Sequence, residues 1–119
     1  MVMRRDPPGA ASDVAKDDPI LREIVRRLVD VYLPERVYLF GSRARGDAGS
    51  DSDYDLLVVV RDEIPEKDRD EARAYDALWD LGRSGDILVW RRSVFDGRAR
   101  LPATFPATVL REGKLLYAA

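Results

Sequence analysis

The sequence predicts an α+β fold, an α/β sandwich in which helices pack on a small mixed β-sheet. Two stretches rich in β-branched and aromatic residues, 36–40 and 53–60, predict strands, and a third follows at 86–92. Stretches with the helical period of apolar residues lie before the first strand, between the second and third, and after the third. With 119 residues, of which 45% are apolar, the chain suffices for a single core. We therefore expect one folded domain.

The first helix is predicted by its cap and its periodicity. Residues 1–17 combine Pro, Gly, Ser and charge without apolar periodicity, which predicts a mobile arm ahead of a domain over 18–119. Asp18 and Pro19 suit the cap and first position of a helix. Six apolar residues then recur at helical spacing: Ile20, Leu21, Ile24, Val25, Leu28 and Val29. We expect this helix to end before Pro34.

The first two strands are nearly continuous in apolar character, which predicts central strands buried on both faces. A second helix is predicted over 65–81, with Gly82 and Gly85 as its end. Its apolar side includes Tyr75 and Trp79, whose spacing favours core packing over a role as interface anchors.

The C-terminal part has a looser pattern. Pro102 and Pro106 follow the third strand, and a short helix is expected near 107–112. Gly113 would stop that helix. Residues 114–118 are expected to form either a final short strand or a docked tail.

Composition excludes several classes of function. The 22 acidic and 20 basic residues nearly cancel, which disfavours non-specific nucleic-acid binding. The sequence contains no cysteine and no histidine, so any catalysis must use carboxylates, hydroxyls, lysines and arginines. No apolar stretch approaches the roughly 20 residues of a membrane span, and the N-terminus lacks a signal-peptide core. We expect a cytoplasmic protein.

Alternating aspartates at the start of the second strand are the first candidate for chemistry. In a strand, Asp53 and Asp55 would share one face, about 7 Å apart. Carboxylates beside so many apolar residues are costly unless a cation compensates them. Magnesium fits, because it binds through one or two carboxylates plus substrate phosphates. A phosphate-bearing substrate is then implied.

Two further elements would complete such a site. Gly41 and Ser42 follow the first strand, where glycine allows close approach of a ligand and a short helical start offers N–H groups to an anion. Asp86 opens the third strand as Asp55 opens the second, so both could lie at one edge of the sheet. A third carboxylate could complete a two-metal site and accept a proton from an attacking hydroxyl.

A solvated loop edge and a calcium site are the other interpretations of these aspartates. A solvated loop edge is the commoner role of an isolated Asp-x-Asp pair. A helix-loop-helix calcium site would use Asp51, Asp53 and Asp55 as its first ligands, but it needs Gly and Glu where Leu56 and Asp62 stand. The Walker phosphate loop and the dinucleotide fingerprint are both absent.

The stretch "GSRARGDAGSDSDYDLLV" carries Gly-Ser, ten residues, and then Asp-x-Asp before apolar residues. It resembles the signature of the DNA polymerase beta-like nucleotidyltransferase superfamily. Within that superfamily it looks like the minimal nucleotidyltransferases, small single-domain proteins of bacteria and archaea. The resemblance covers about 20–117, and it implies the polymerase beta-like nucleotidyltransferase fold.

The resemblance also implies roles for residues of this sequence. A triad that binds two Mg²⁺ ions and serves catalysis corresponds to Asp53, Asp55 and Asp86. The triphosphate of ATP would be held by Gly41 and Ser42, with help from Arg43 or Arg45. Asp47 and Asp51 receive no role and are expected in solvent.

Proteins of this kind are commonly encoded beside a helical HEPN-type partner. The resemblance implies a toxin–antitoxin pair in which this chain, the antitoxin, transfers AMP from ATP to a tyrosine of the toxin. Two alternatives stay open: a non-catalytic antitoxin or binding module that occludes its partner, and a nucleotidyltransferase for a small acceptor such as an aminoglycoside.

Overall fold

The computed structural model describes residues 18–46, 49, 53–83 and 85–119. The predicted N-terminal arm, residues 1–17, lies outside this part of the chain, as do Asp47 and Asp51. No helix of the described part is long and apolar enough to cross a membrane.

Four strands form one sheet. In chain order they are β1 Arg36–Phe40, β2 Asp55–Val60, β3 Ile87–Arg91 and β4 Lys114–Ala118. Five α-helices accompany the sheet in the described residues: α1 Pro19–Tyr32, α2 Ser42–Arg45, α3 Ala72–Leu78, α4 Arg92–Ala99 and α5 Phe105–Glu112. Short 3-10 helices flank α3, at Glu66–Arg69 and Trp79–Leu81. The predicted α+β fold is confirmed.

The strands lie in the order β3-β2-β1-β4. Strand β1 is antiparallel to β2 and β4, whereas β2 and β3 are parallel, so the sheet is mixed. The predicted central position of β1 and β2 is confirmed, and residues 56–60 have no exposed surface. Each such side chain stabilises the fold by about 1.5–3 kcal/mol relative to an exposed one. Residues 114–118 form a strand rather than a docked tail.

Helix α1 begins and ends as its sequence predicts. The Asp18 carboxylate accepts a hydrogen bond from the Leu21 N–H at 3.1 Å, and Pro19 occupies the first turn. The helix ends at Leu33, which adopts a left-handed conformation, immediately before Pro34.

Apolar side chains pack on both faces of the sheet. Helices α1 and α3 cover the face that we call the α1 face, whose core includes Leu21, Leu28, Val37, Leu56, Val58 and Ala74. Helices α4 and α5 cover the α4 face, whose core consists of Tyr38, Leu57, Val59, Phe95 and Val109. Because side chains alternate along a strand, consecutive residues of β2 face different cores.

The structure differs from the sequence prediction in two regions. The helix expected over 65–81 is interrupted at Asp70, whose backbone is extended and whose carboxylate accepts from the Ala72 N–H at 2.9 Å. That carboxylate acts as a cap and starts α3 as a new helix. Helix α4 was not predicted, because only Phe95 of its eight residues is buried and no apolar period marks it.

Candidate active site

Two of the predicted carboxylates lie side by side where β2 and β3 begin. The parallel register places Leu56 opposite Ile87, so the preceding residues, Asp55 and Asp86, are neighbours. The Leu56 N–H donates to the Asp86 carbonyl at 2.8 Å, and the Asp86 N–H donates to the Asp55 carboxylate at 3.3 Å. Asp53 precedes β2 and is exposed. We call Asp53, Asp55 and Asp86 the carboxylate edge.

The charges of the carboxylate edge act on one another. Partial burial raises the pKa of the Asp55 carboxyl, and the hydrogen bond from the Asp86 backbone opposes that rise. The carboxylates of Asp86 and Asp53 raise this pKa further, whereas Arg45 lowers it. The edge is therefore a region of negative potential that favours a cation.

The fit to a divalent metal depends on how many ligands converge. Among the residues that the structure describes, no three Asp, Glu, His or Cys side chains lie close enough to hold one metal ion between them. Oxygen ligands nevertheless suit magnesium, which often uses one or two carboxylates and completes its shell with water and substrate phosphates. The donor set of the carboxylate edge fits that mode of binding.

Gly41 brings the Gly-Ser turn directly against this edge. Residue Phe40, the last of β1, pairs with Asp55, and Gly41 follows with φ 76° and ψ −157°, a region essentially restricted to glycine. A Cβ atom at Gly41 would collide with the Asp55 carboxylate. The conformation therefore requires glycine, and any larger residue would also displace the Asp55 carboxylate; Ser42 then begins α2.

Gly85 makes a second close approach that the sequence did not reveal. A Cβ atom there would collide with the backbone carbonyl of Tyr54. The sequence assigned Gly85 to the end of a helix, but here it lets the chain cross Tyr54 and deliver Asp86 beside Asp55. Only the position of Gly85 immediately before Asp86 could have hinted at this role.

The two candidate arginines of α2 diverge. The Arg43 guanidinium lies over the Tyr54 ring, 3.9 Å from its centroid, and its side chain is 15% exposed. The Arg45 side chain is exposed and acts electrostatically on Asp55. Of the two, Arg45 is the one whose charge acts on the Asp55 carboxylate.

An apolar groove of about 370 Å³ lies on the α1 face. Its lining includes Tyr54, Trp79 and Arg83. Trp79 is 81% exposed and Tyr75 is 46% exposed, so the expectation of core packing is wrong for both. The interruption at Asp70 shortens α3, and the chain continues through Trp79 as a 3-10 helix, which ends the helical alignment on which that expectation depended.

The mixed sheet, the carboxylate edge and the adjoining glycine turn define an α+β domain of the nucleotidyltransferase type. The model of the nucleotidyltransferase domain family matches residues 19–101, well over half of the chain. The chain therefore belongs to this family and is a nucleotidyltransferase by that membership.

Solved structures with a similar fold include a candidate nucleotidyltransferase from Sulfolobus solfataricus, at 24% identity and TM-score 0.57, with 93% of this chain and 92% of that chain covered. A chain of a toxin-antitoxin crystal structure with AMP-PNP matches at 24% identity and TM-score 0.56, over 82% of this chain and 73% of that one. A third match belongs to a tri-AMPylated Shewanella oneidensis HEPN toxin in complex with MNT antitoxin, at 20% identity and TM-score 0.53, with 85% and 71% covered. Among curated proteins, none matches the chain.

Proposed function

We propose that this protein transfers AMP from ATP to a tyrosine hydroxyl of a HEPN-type partner and thereby acts as an antitoxin. The observation that carries the proposal is the juxtaposition of Asp55 with Asp86 and with the Gly41 turn. Membership of the nucleotidyltransferase family supports the reaction class. Use of ATP as the donor agrees with the expected cytoplasmic location.

Magnesium fits this donor set, and Asp53, Asp55 and Asp86 would hold two ions. When bound, the metal supplies charge stabilisation for the attacking and leaving oxygens of phosphoryl transfer. Partial burial, together with the carboxylates of Asp86 and Asp53, raises the pKa of the Asp55 carboxyl, and a bound cation would stabilise its charged form.

The chain's own residues bind and orient the donor. Gly41 permits close approach of the triphosphate, the Ser42 hydroxyl offers a hydrogen bond, and Arg45 supplies a positive charge. The tyrosine oxygen forms a bond to the α-phosphorus as the bond to pyrophosphate breaks. Asp86 accepts the proton that the tyrosine hydroxyl loses, and pyrophosphate leaves.

We place the acceptor on a partner protein, because the described residues of this domain mainly build the sheet and the helices that pack on it. A partner surface would then supply the hydroxyl. A chain with a similar fold occurs in the complex of an MNT antitoxin with a tri-AMPylated HEPN toxin, and this complex supports the choice of partner.

The test is a transfer assay with labelled ATP and Mg²⁺, with and without a HEPN-type protein from the same organism. We expect the partner to gain the mass of one or more AMP units, and the variant Asp53→Asn/Asp55→Asn to transfer none. Complete transfer to a small free acceptor in the absence of any protein partner would overturn the proposal.

Binding without transfer is the second candidate, and the exposed Trp79 beside an apolar groove favours it. In that case, the variant Asp53→Asn/Asp55→Asn would still neutralise the toxin in a growth assay although it transfers no AMP. The same double variant therefore separates an enzyme from an occluder.

A further inference from the structure

Tyr54 stands between two residues of the carboxylate edge and has a different environment from both. Its side chain belongs to the core of the α1 face and is 3% exposed. Its hydroxyl donates to the Asp18 carboxylate at 2.8 Å. Strand alternation thus turns Asp55 towards the site while the preceding residue is anchored in the protein interior.

The anchor includes the first turn of α2. Arg43 stacks over the Tyr54 ring at 3.9 Å and approaches the Asp18 carboxylate to 3.8 Å. A guanidinium over a tyrosine ring attracts it most strongly where water is excluded, and this side chain is only 15% exposed. Tyr54 and Asp18 therefore hold α2 from the side opposite to Asp55.

Asp18 joins this cluster to α1. One carboxylate oxygen caps the helix by accepting from Leu21, and the other accepts from Tyr54 and faces Arg43. The carboxylate thereby links three elements at one point: the start of α1, the start of α2 and the start of β2.

We infer that Asp18, Tyr54 and Arg43 form a positioning network that sets the Gly-Ser turn against Asp55 for transfer. The inference rests on the proposed function and deepens it. The start of α2 is held on both sides, by the Gly41 contact with Asp55 and by the stacking of Arg43 on Tyr54. Arg43 is accordingly a positioning residue, and Arg45 is the arginine that serves the triphosphate.

The test is a double-mutant cycle with Arg43→Met and Tyr54→Phe, measured by kcat and KM for ATP in AMP transfer. We expect about a 10-fold lower kcat for Arg43→Met and about 3-fold for Tyr54→Phe, with KM for ATP changed less than about 2-fold. The double variant should lose about 10-fold rather than about 30-fold, because the two residues act as one unit.

Binding of a non-hydrolysable ATP analogue with Mn²⁺ gives a readout that does not depend on transfer. We expect Arg45→Met to raise the Kd of the analogue about 10-fold, and Arg43→Met to leave it within about 2-fold. If Arg43 instead bound the phosphates, Arg43→Met would raise the Kd of the analogue more than Arg45→Met does.

Matched controls separate positioning from general stability. Arg98 also stacks on an aromatic ring, Trp90, at 5.5 Å, and Tyr32 is a buried tyrosine whose hydroxyl donates to the Asp70 carbonyl at 2.8 Å. Arg98→Met and Tyr32→Phe should keep kcat within about 2-fold of wild type at temperatures below their Tm.

Three results would overturn the inference: an additive cycle, an Arg43→Met variant that loses analogue binding, or network variants with a lower Tm and an unchanged kcat. If the wild-type protein binds the analogue and transfers nothing, the proposed function fails by itself. The comparison of Arg43→Met with Arg45→Met in binding then still decides which arginine serves the phosphates.

Discussion

The two sides of the chain at the start of β2 differ in their surroundings. We call the side of Asp55 the open side and the side of Tyr54 the anchored side. Asp55 is partly exposed, next to Asp86 and Asp53, with a raised pKa. Tyr54, one residue earlier, is buried, hydrogen-bonded to Asp18 and covered by an arginine. Consecutive residues of one strand can therefore divide chemistry and anchoring between them, because the pleat sends them to different faces.

The largest expected effect is on the open side. Asp55→Asn removes the charge that a metal would bind, so we expect AMP transfer to fall at least about 1,000-fold. Asp96→Asn is the matched control, since Asp96 is an exposed carboxylate of helix α4, away from the carboxylate edge, and pairs with Arg36 of β1 at 2.8 Å. Transfer rates with the proposed HEPN-type partner measure both variants. An Asp55→Asn variant with near-normal transfer would remove this carboxylate from the site.

The close approach of the Gly41 turn to the Asp55 carboxylate is tested by substitution of Gly41. A Cβ atom would meet the Asp55 carboxylate, and the backbone there is one that other residues avoid. We expect Gly41→Ala to lower transfer about 100-fold through displacement of the turn.

Gly46→Ala is its control, because Gly46 also has a positive φ, 85°, but among the described residues none would lie within 4 Å of a Cβ atom there. That variant should lose only about 1 kcal/mol of stability, the cost of the left-handed backbone, and keep most of the transfer rate. Equal losses in the two variants would contradict a special role for the Gly41 turn at Asp55, because Gly46 lies in the milder left-handed region.

The anchored side is tested through its backbone at Gly85. A Cβ atom would meet the Tyr54 carbonyl, so we expect Gly85→Ala to lower the free energy of unfolding by about 2 kcal/mol, measured by urea denaturation. Gly97→Ala, in open space within α4, should instead be neutral or stabilising by up to about 1 kcal/mol. A stable Gly85→Ala protein would show that β3 can shift away from Tyr54.

The dependence of stability on pH should have opposite signs at two carboxyls. Folding raises the pKa of Asp55, so this carboxylate disfavours the folded state above its folded pKa, and that cost vanishes on acidification below its unfolded pKa. We expect Asp55→Asn to raise Tm at pH 7 and to leave it unchanged near pH 3. A variant that loses activity and gains stability is the usual mark of a functional site.

Glu23 provides the contrast. Hydrogen bonds from Arg26 and Arg27 lower its pKa to about 2, so its contribution to stability is present above the unfolded pKa and disappears as the pH falls towards 2. Glu23→Gln should therefore lower Tm at pH 7 and not at pH 2. Thermal unfolding followed by circular dichroism, at pH 7 and at the acidic pH given for each variant, measures these changes. If both variants shifted Tm in the same direction at pH 7, the causes assigned to the two pKa shifts would be contradicted.

The sequence predicted what local chemistry dictates. The cap at Asp18, the stop before Pro34 and the two central strands follow from residue type and period, and all three are found. The neighbouring placement of Asp55 and Asp86 followed from strand order, since both open a strand.

The features that the sequence did not predict depend on tertiary contacts, which leave no periodic pattern of apolar residues. The fit of Gly85 against a carbonyl, and the selection of Arg43 rather than Arg45 by the Tyr54 ring, arise only when distant segments meet. Helix α4 escaped prediction for a related reason. It presents a single buried residue, Phe95, to the sheet, so its sequence has no stripe to detect.

The smallest effect is expected at Trp79, on the groove that the anchored side forms. With 81% of its surface exposed, Trp79 buries little on folding, so Trp79→Ala should shift Tm by less than about 2 °C. Phe95→Ala, at a fully buried aromatic residue, should cost about 3–5 kcal/mol in the same assay. A large loss of stability in Trp79→Ala would mean that this indole packs against the fold. A normal Tm together with weaker binding to the proposed HEPN-type partner would instead make the anchored side a contact surface. The face of Asp55 would then serve transfer and the opposite face would serve recognition.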